Sequence, residues 1–428
     1  MADKELTSKA KAVALACLIG MMVSVVPFHI GTFPLFMQPV SHEFGWGRAA
    51  FALSLNVSAI FAALAAPFVG RAVDRLGARR LLVPAIALYA LAFMAQSLLT
   101  PSKPQFYATY AVLGFTEAVA GPVAFSHLVS SWFHQKRGLM LSLIIGAAPA
   151  VSLMVMAPVT HLLIANYGWR TAYLILGLII LVLGLPAMAV LVKDPEHAGP
   201  QTSAGRAAAI SALPGKRFTE VLATATYWAI LAALVIHSLV VGGVRAHTVA
   251  LLTDRGLPVG VATLAVSASA LAGLLGNVTA GVMLDRVQTP KIAIPFFLTA
   301  LVGLLLLHHA TSSTPALIGA AVLGFGIGAE SGIGPYFFSR YFGMRSFGAV
   351  YGCLVSLLAI SSGIGPMLLG IAFDRTGSYA RGLIIAEVGL AVGTVLVALL
   401  GRYVYSARRT PAELTETSPP EGAAQAEA

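Results

Sequence analysis

The sequence predicts an all-α membrane protein with twelve transmembrane helices in two pseudo-symmetric six-helix bundles. Three observations carry this expectation. Charged residues make up only 10% of the 428 positions and apolar ones 58%, whereas soluble domains carry about 25% charge. The apolar residues come in blocks of membrane length. Landmarks in the first half of the chain return in the second at a nearly constant offset.

Crossing a bilayer takes about 20 predominantly apolar residues. Such blocks fall at about 12–38, 48–70, 80–99, 105–131, 138–163, 170–192, 221–250, 258–283, 291–309, 315–339, 347–371 and 381–405. Every backbone polar group in hydrocarbon must be bonded internally, and these runs are too long and too uniformly apolar for barrel strands, so they are helices. The first block follows Lys9 and Lys11, lacks a small-residue cleavage site and exceeds a signal-peptide core, which marks a retained helix. Cys17 and Cys353 fall inside spans and are expected as packing residues without a disulfide.

The interval 193–220, rich in Pro, Gly and small residues, separates six spans from six. It divides the chain into an N-terminal six-helix half (1–192), a cytoplasmic central loop (193–220), a C-terminal half (221–405) and a disordered cytoplasmic tail (406–428). Gly70-x-x-x-Asp74-Arg75 returns as Gly281-x-x-x-Asp285-Arg286, 211 residues later. Val112-Leu-Gly-Phe115 returns as Val322-Leu-Gly-Phe325 after 210, and Pro158 as Pro366 after 208. Three features in order at one offset indicate a duplicated six-helix unit, and paired repeats around a central site are a transporter architecture.

A net charge of +10 would point to nucleic acid in a soluble chain, but here the charges are sided. With an even number of helices both termini share one side, and that side collects 20 of the 27 Lys and Arg residues. The positive-inside rule makes it the cytoplasmic one, in a plasma (inner) membrane.

The loop Gly70-Arg-Ala-Val-Asp74-Arg75-Leu-Gly77-Ala-Arg79-Arg80 resembles the signature loop of the major facilitator superfamily. Phe44-Gly45-Trp46, Trp132-Phe133-His134-Gln135-Lys136-Arg137-Gly138, Tyr167-Gly168-Trp169-Arg170, Asp194-Pro195-Glu196, Gly328-Ala329-Glu330, Arg340-Tyr341-Phe342-Gly343 and Phe373-Asp374-Arg375-Thr376-Gly377-Ser378-Tyr379 together resemble its monocarboxylate-transporter-like and oxalate/formate-antiporter-like branch. The resemblance implies the major facilitator fold and alternating access. It also implies that Gly70, Asp74, Arg75, Gly77, Arg79, Asp285 and Arg286 act in loops that hold the halves together. Two departures stand out. The branch's Asp and Arg of the eighth helix are here Gly273 and Asn277, and 347–371 contains no Lys or Arg where the antiporters carry a substrate lysine.

Ionisable groups inside a bilayer cost about 2.5–3.5 kcal/mol on insertion scales and are functional candidates. His29, Glu117, His237, Arg245 and Glu330 lie well inside spans one, four, seven and ten. The resemblance implies that these helices line the central cavity. Breakers accompany them: Pro27, Gly31 and Pro34; Gly121-Pro122; Gly242-Gly243; Gly332 to Pro335. Arg245 suits bidentate recognition of a carboxylate, with an ion pair to Glu330 or Glu117, or snorkelling, as rivals. Glu330 and Glu117 are candidate proton-coupling groups, their rival being a neutral helix contact. His29 and His237 are candidate substrate donors or proton carriers. Asn277, Tyr336 and Ser126 are polar cavity candidates, His308-His309 is expected at an interface, and Glu387 has no role in this scheme.

No phosphate-binding Gly-Lys-Ser/Thr loop, metal cluster or nucleophile–base pattern occurs, so ATP-driven transport and enzymatic readings have no support, and neither metal nor cofactor is expected. The leading expectation is a monomeric carrier moving an organic anion such as a monocarboxylate with protons. Drug or cation efflux, with Glu117 and Glu330 pairing a cation, is the alternative. A transport-dead solute sensor is the third, though it would need a soluble output domain.

Overall fold

The structure is a computed structural model and describes residues 8–76, 78–133, 140–192, 214–287 and 289–405. The central-loop segment 193–213 and the tail from 406 lie outside the described residues.

The first crossing is assembled from α1 (Ser8–Met22), a π turn (Val26–Ile30) and α2 (Phe33–Phe44). Pro27 and Pro34 supply no N–H. The carbonyls near the breaks are taken up locally, Ser24 Oγ donating to Met21 O at 2.7 Å and Thr32 Oγ1 to Phe28 O. α3 (Arg48–Leu76) and α4 (Ala78–Ala95) form crossings two and three. α5 (Lys103–Val119) and α6 (Pro122–Trp132) form the fourth, broken at Gly121-Pro122.

Among the described residues eleven helices are long and apolar enough to cross a membrane, and one of them, Leu143–Leu191, runs 49 residues. At 1.5 Å per residue that is about 74 Å, more than twice the hydrocarbon thickness of about 30 Å. Its main element, α7 (Ala148–Ile179), leaves helical geometry at Gly168 (φ 78°), a left-handed conformation suited to glycine. The run therefore supplies crossings five and six, which makes twelve.

The remaining six are α8 (Ala225–Thr253), α9 (Val259–Arg286), α10 (Ile294–His309), the pair α11 (Ser313–Gly328) and α12 (Glu330–Phe342), α13 (Phe347–Thr376) and α14 (Ala380–Ala398). The tenth crossing breaks at Ala329, immediately before Glu330. Among the described residues no strand forms, and the lone bridge joins Gly215 to Gly343.

Neighbouring helices approach through small residues, as is usual where no water drives association. α9 and α11 meet so closely that a Cβ on Gly276 would lie 2.0 Å from Phe325 O, and one on Gly328 would lie 1.9 Å from Gly273 O. Between the first and last six crossings, α3 packs on α13 and α7 on α9. Asn56 Nδ2 donates to Gly363 O (2.7 Å) and Ser267 Oγ to Met154 O (3.0 Å) across these seams.

One apolar core runs through the first six crossings into the ends of α8, α10 and α14 nearest the 253–259 and 309–313 connections. A separate core around Tyr227, Phe338 and Phe342 serves the opposite end of the last six. The two sets of helices thus share a core at one end only, called the distal end here, away from the first and last described residues. Apolar side chains such as Phe68 (68% exposed), Val190 (68%) and Ile385 (71%) face outward, as lipid contact requires.

Gly276→Leu is expected to overpack the α9–α11 seam and cost about 1–3 kcal/mol, read as a lowered unfolding temperature in detergent. Gly281→Ala, where a Cβ meets nothing within 4 Å, is expected to leave that temperature unchanged.

Candidate functional site

Between the two sets of six helices lies a cavity with two adjoining lobes of about 450 and 470 Å³. The first is lined by the broken first crossing (Met21, Val26, Pro34), the start of α7, and α8, α9, α12 and α13. The second is lined by α3 (Leu55, Ser58, Ala59, Ala62), the end of α5, and α8 and α13. Helix breaks at this depth are tolerated because the freed backbone lines a cavity. Gly31, Gly121, Pro122, Gly334 and Pro335 all do so.

Arg245 on α8 lines both lobes. It forms no side-chain hydrogen bond or ion pair among the described residues, and the carboxylate that acts on it electrostatically is Glu330. The snorkelling alternative does not hold, because the guanidinium faces the cavity and not the interface. The contact ion pair to Glu330 or Glu117 is likewise not formed.

Glu330 opens α12 and lines the first lobe. Its Oε2 lies 3.2 Å from Nδ1 of His237. His237 itself lines neither lobe: it is buried behind Glu330, with its ring 4.8 Å from that of Phe297. Asn277 and Gly273 line the first lobe. Glu117, Ser58 and His29 line the second. His29 is 3% exposed and sits edge-on to Tyr110 at 5.0 Å, with neither ring nitrogen hydrogen-bonded.

Tyr336 is not a cavity group. Its ring packs against Tyr403 at 5.8 Å, with the Arg340 guanidinium 5.1 Å from its centroid, because the α12 face that carries it turns toward the proximal aromatic cluster. Ser126 lines neither lobe. Glu387 has a partner, His308 Nδ1 at 2.6 Å, so His308, at the end of α10, bridges to α14. Cys17 is buried as expected, whereas Cys353 is exposed.

Of the signature-loop residues, Gly70 lies in α3, Gly77 lies outside the described residues, and so do the side chains of Asp74, Arg75 and Asp285. Arg79 reaches the Ala189 carbonyl, and Arg286 is exposed at the end of α9.

The distal end closes the cavity with groups that sequence reasoning did not single out. Arg48, at the start of α3, pairs with Asp254 at the end of α8 through Nη1–Oδ2 (2.5 Å) and Nη2–Oδ1 (2.9 Å). Asp374, near the end of α13, accepts from the backbone N–H of Arg48 (2.9 Å) and of Ala49 (3.0 Å). One set of helices therefore caps a helix of the other, and a carboxylate is favoured at the positive end of that helix. A Cβ on Gly47 would lie 2.5 Å from Asp374 Oδ2, so the cap needs glycine there. Gln38 Nε2 donates to Thr253 Oγ1 at 2.9 Å beside it. The readable signal was a few charges at span ends on the charge-poor side, one of them, Asp374, inside the Phe373–Tyr379 motif.

Nearby, Glu43 accepts from Arg170 (2.5 Å) and from Trp169 Nε1 (2.6 Å). The Arg170 hydrogen bond, helped by Trp169, holds its carboxyl below the usual range.

The model of the Major Facilitator Superfamily matches residues 13–366 and 246–422. An uncharacterized MFS-type transporter, YcxA of Bacillus subtilis, is 30% identical over 175 residues, covering 40% of this chain and 42% of that one. Monocarboxylate transporter 13 of Bos taurus is 26% identical over 65% of this chain and 64% of its own length, so the chain spans less than two thirds of either. Monocarboxylate transporter 4 of Mus musculus is 25% identical over 89% of this chain and 81% of its own. A crystal structure of a bacterial homolog to the human lysosomal transporter Spinster, inward-facing and occupied, superposes with a TM-score of 0.70 at 14% identity, covering 92% of this chain and 97% of that one. Twelve crossings, a cavity between two sets of six and a family match across nearly the whole described length agree, and the chain belongs to the Major Facilitator Superfamily.

Proposed function

We propose that this transporter carries a small organic anion, most simply a monocarboxylate, together with protons by alternating access between halves 1–192 and 221–405. In this reading the halves are joined through 193–220, and 406–428 is a tail. The observation that carries it is Arg245, a fixed cation shared by both cavity lobes and hydrogen-bonded to nothing described. Such a group in a low-dielectric site needs an anion, and its planar fork suits a carboxylate. Glu330 is the mobile counter-charge. With the substrate absent, its carboxylate balances Arg245. When an anion takes Arg245, Glu330 is relieved by taking up a proton, which couples the two fluxes. His237, 3.2 Å behind Glu330, orients that carboxyl and can share its proton. Glu117 is a second proton-coupling group, and His29 and Asn277 contact the substrate.

The chain works as a monomer in the plasma (inner) membrane with both termini cytoplasmic, where most of its Lys and Arg residues gather. The loop residues Gly70, Asp74, Arg75, Gly77, Arg79, Asp285 and Arg286 hold the halves together at that face. The monocarboxylate transporters among its relatives support the substrate class.

One observation favours a second reading. Glu117 sits in a lobe whose α3 wall is mostly alanine and leucine, a carboxyl against an apolar wall of the kind that can hold a lipophilic cation. Proton-driven cation efflux would then use Glu117, with Arg245 serving structure.

Proteoliposomes loaded at neutral pH and placed in acid are expected to accumulate labelled monocarboxylates. No gradient-driven uptake across a broad acid panel, together with efflux of lipophilic amines, would replace the anion reading with the cation one. Arg245→Gln is expected to lower uptake by at least about tenfold, or about 1.4 kcal/mol, and Arg245→Lys to recover part of it. Glu330→Gln is expected to lose accumulation against a gradient while keeping exchange of labelled for unlabelled substrate. Full proton-driven accumulation in that variant would remove Glu330 from the coupling role.

A further inference from the structure

The distal seal contains a hydrogen-bond chain whose direction is fixed at both ends. Arg48 can only donate, and its Nη1 lies 2.5 Å from the Tyr379 hydroxyl. Tyr379 Oη lies 2.8 Å from Nδ1 of His247 on α8. At the other end, Nε2 of His247 lies 2.9 Å from the Pro366 carbonyl, which can only accept. The protons are therefore assigned throughout. Arg48 donates to Tyr379, Tyr379 donates to Nδ1 of His247, and Nε2–H of His247 donates to Pro366.

Only a neutral imidazole satisfies this chain. A proton on Nδ1 would face the Tyr379 hydroxyl with a second donor, and Tyr379 already receives Arg48. Its own hydrogen would lose its acceptor in a site where His247 is 0% and Tyr379 3% exposed. The charged and titratable groups facing His247 are Arg48 from α3, Tyr379 and Asp374 from the α13–α14 corner, and Asp254 from the end of its own helix. Arg48 repels an imidazolium. Asp254 and Asp374 would attract one, but both are engaged, Asp254 by Arg48 and Asp374 by the amides of α3. A protonated His247 could draw on them only by loosening those contacts, which tie α3 of one half to the distal end of the other.

We propose that His247 is an acid-sensitive latch: neutral, it holds the distal ends of the two halves together, and on protonation it releases them. The sign follows from the geometry. The sealed state requires the deprotonated ring, so its stability is present at higher pH and is lost as pH falls. In the orientation proposed above the distal end faces outward, and external acid would favour the state that admits substrate from outside. His247 lies two positions after Arg245 on α8, so the seal and the cavity cation ride on one rigid element. The latch does not depend on which solute is carried, and loss of uptake in Arg245 variants would leave it standing.

The test is the separation of spin labels at Lys103→Cys, at the start of α5, and Thr311→Cys, on the α10–α11 loop, both exposed at the distal end, in nanodiscs. The exposed Cys353 is first replaced by Ser. Lowering pH from about 7.5 to about 5.5 across the histidine range is expected to raise the long-distance population at least about threefold in the parent. His247→Gln keeps a donor for Pro366 and an acceptor for Tyr379 but cannot titrate. It is expected to stay sealed at both pH values. Tyr379→Phe, which leaves His247 in place, is expected to show the long distance already at neutral pH and keeps the test decisive should the glutamine variant fail to fold. An unchanged distance in the parent, an undiminished acid response in His247→Gln, or a parent-like profile in Tyr379→Phe would each overturn the latch.

Discussion

Holding a guanidinium between two helical bundles is costly, about 2.5–3.5 kcal/mol on insertion scales before any partner is counted, and much of this molecule is arranged around that cost. Arg245 stands where both cavity lobes meet, with Glu330 as the opposing charge and no contact partner among the described residues. A salt bridge at contact distance would offset the charge permanently and leave nothing for a ligand to do. The looser arrangement keeps the cation available. It also accounts for the breaks at Gly121 and Ala329, which place Glu117 and Glu330 at helix ends beside the cavity and not along uninterrupted helices.

The second constraint is that the halves must be held without being fused. Apolar packing joins them at the distal end, where one core runs through both, but apolar packing alone gives neither register nor a trigger. The polar seam supplies register. Asp374 caps α3 from the other half, and Arg48 is held by Asp254, Tyr379 and the face of Phe373, 3.8 Å from its guanidinium carbon. These contacts concentrate in a few residues at the ends of α3, α8 and α13. Such a seam can open as a unit while the small-residue packing within each half, for example α9 on α11, stays intact. Rigid halves and a discrete seam are what alternating access demands.

The two departures from the monocarboxylate branch acquire a physical meaning in the cavity. Gly273 lines the first lobe, and a Cβ there would stand 3.2 Å from the Gly324 carbonyl, while Gly328 packs on its own carbonyl. The position that carries an acid elsewhere is here a point of close approach between α9 and α11. Charge in this cavity is carried by α5, α8 and α12, through Glu117, Arg245 and Glu330, with His237 behind Glu330.

Block length, charge sidedness and the repeat determined the twelve helices, their grouping and the identity of the buried ionisable residues, because hydrocarbon imposes those features on the chain one segment at a time. Arg245, Glu330, Glu117 and His29 were legible for the same reason: a charge or imidazole amid apolar residues stands out in one dimension. Which of them meet was not legible. His237 pairing with Glu330, His308 with Glu387, and Tyr336 turning to the aromatic cluster depend on helix rotation, which neighbouring helices set and local sequence does not. The distal seam was the least visible, since Arg48, Asp254, Asp374 and Tyr379 sit at span ends where polar residues are ordinary. Only the folding of two distant segments onto one another, more than 300 residues apart for Arg48 and Asp374, turns such residues into a seal.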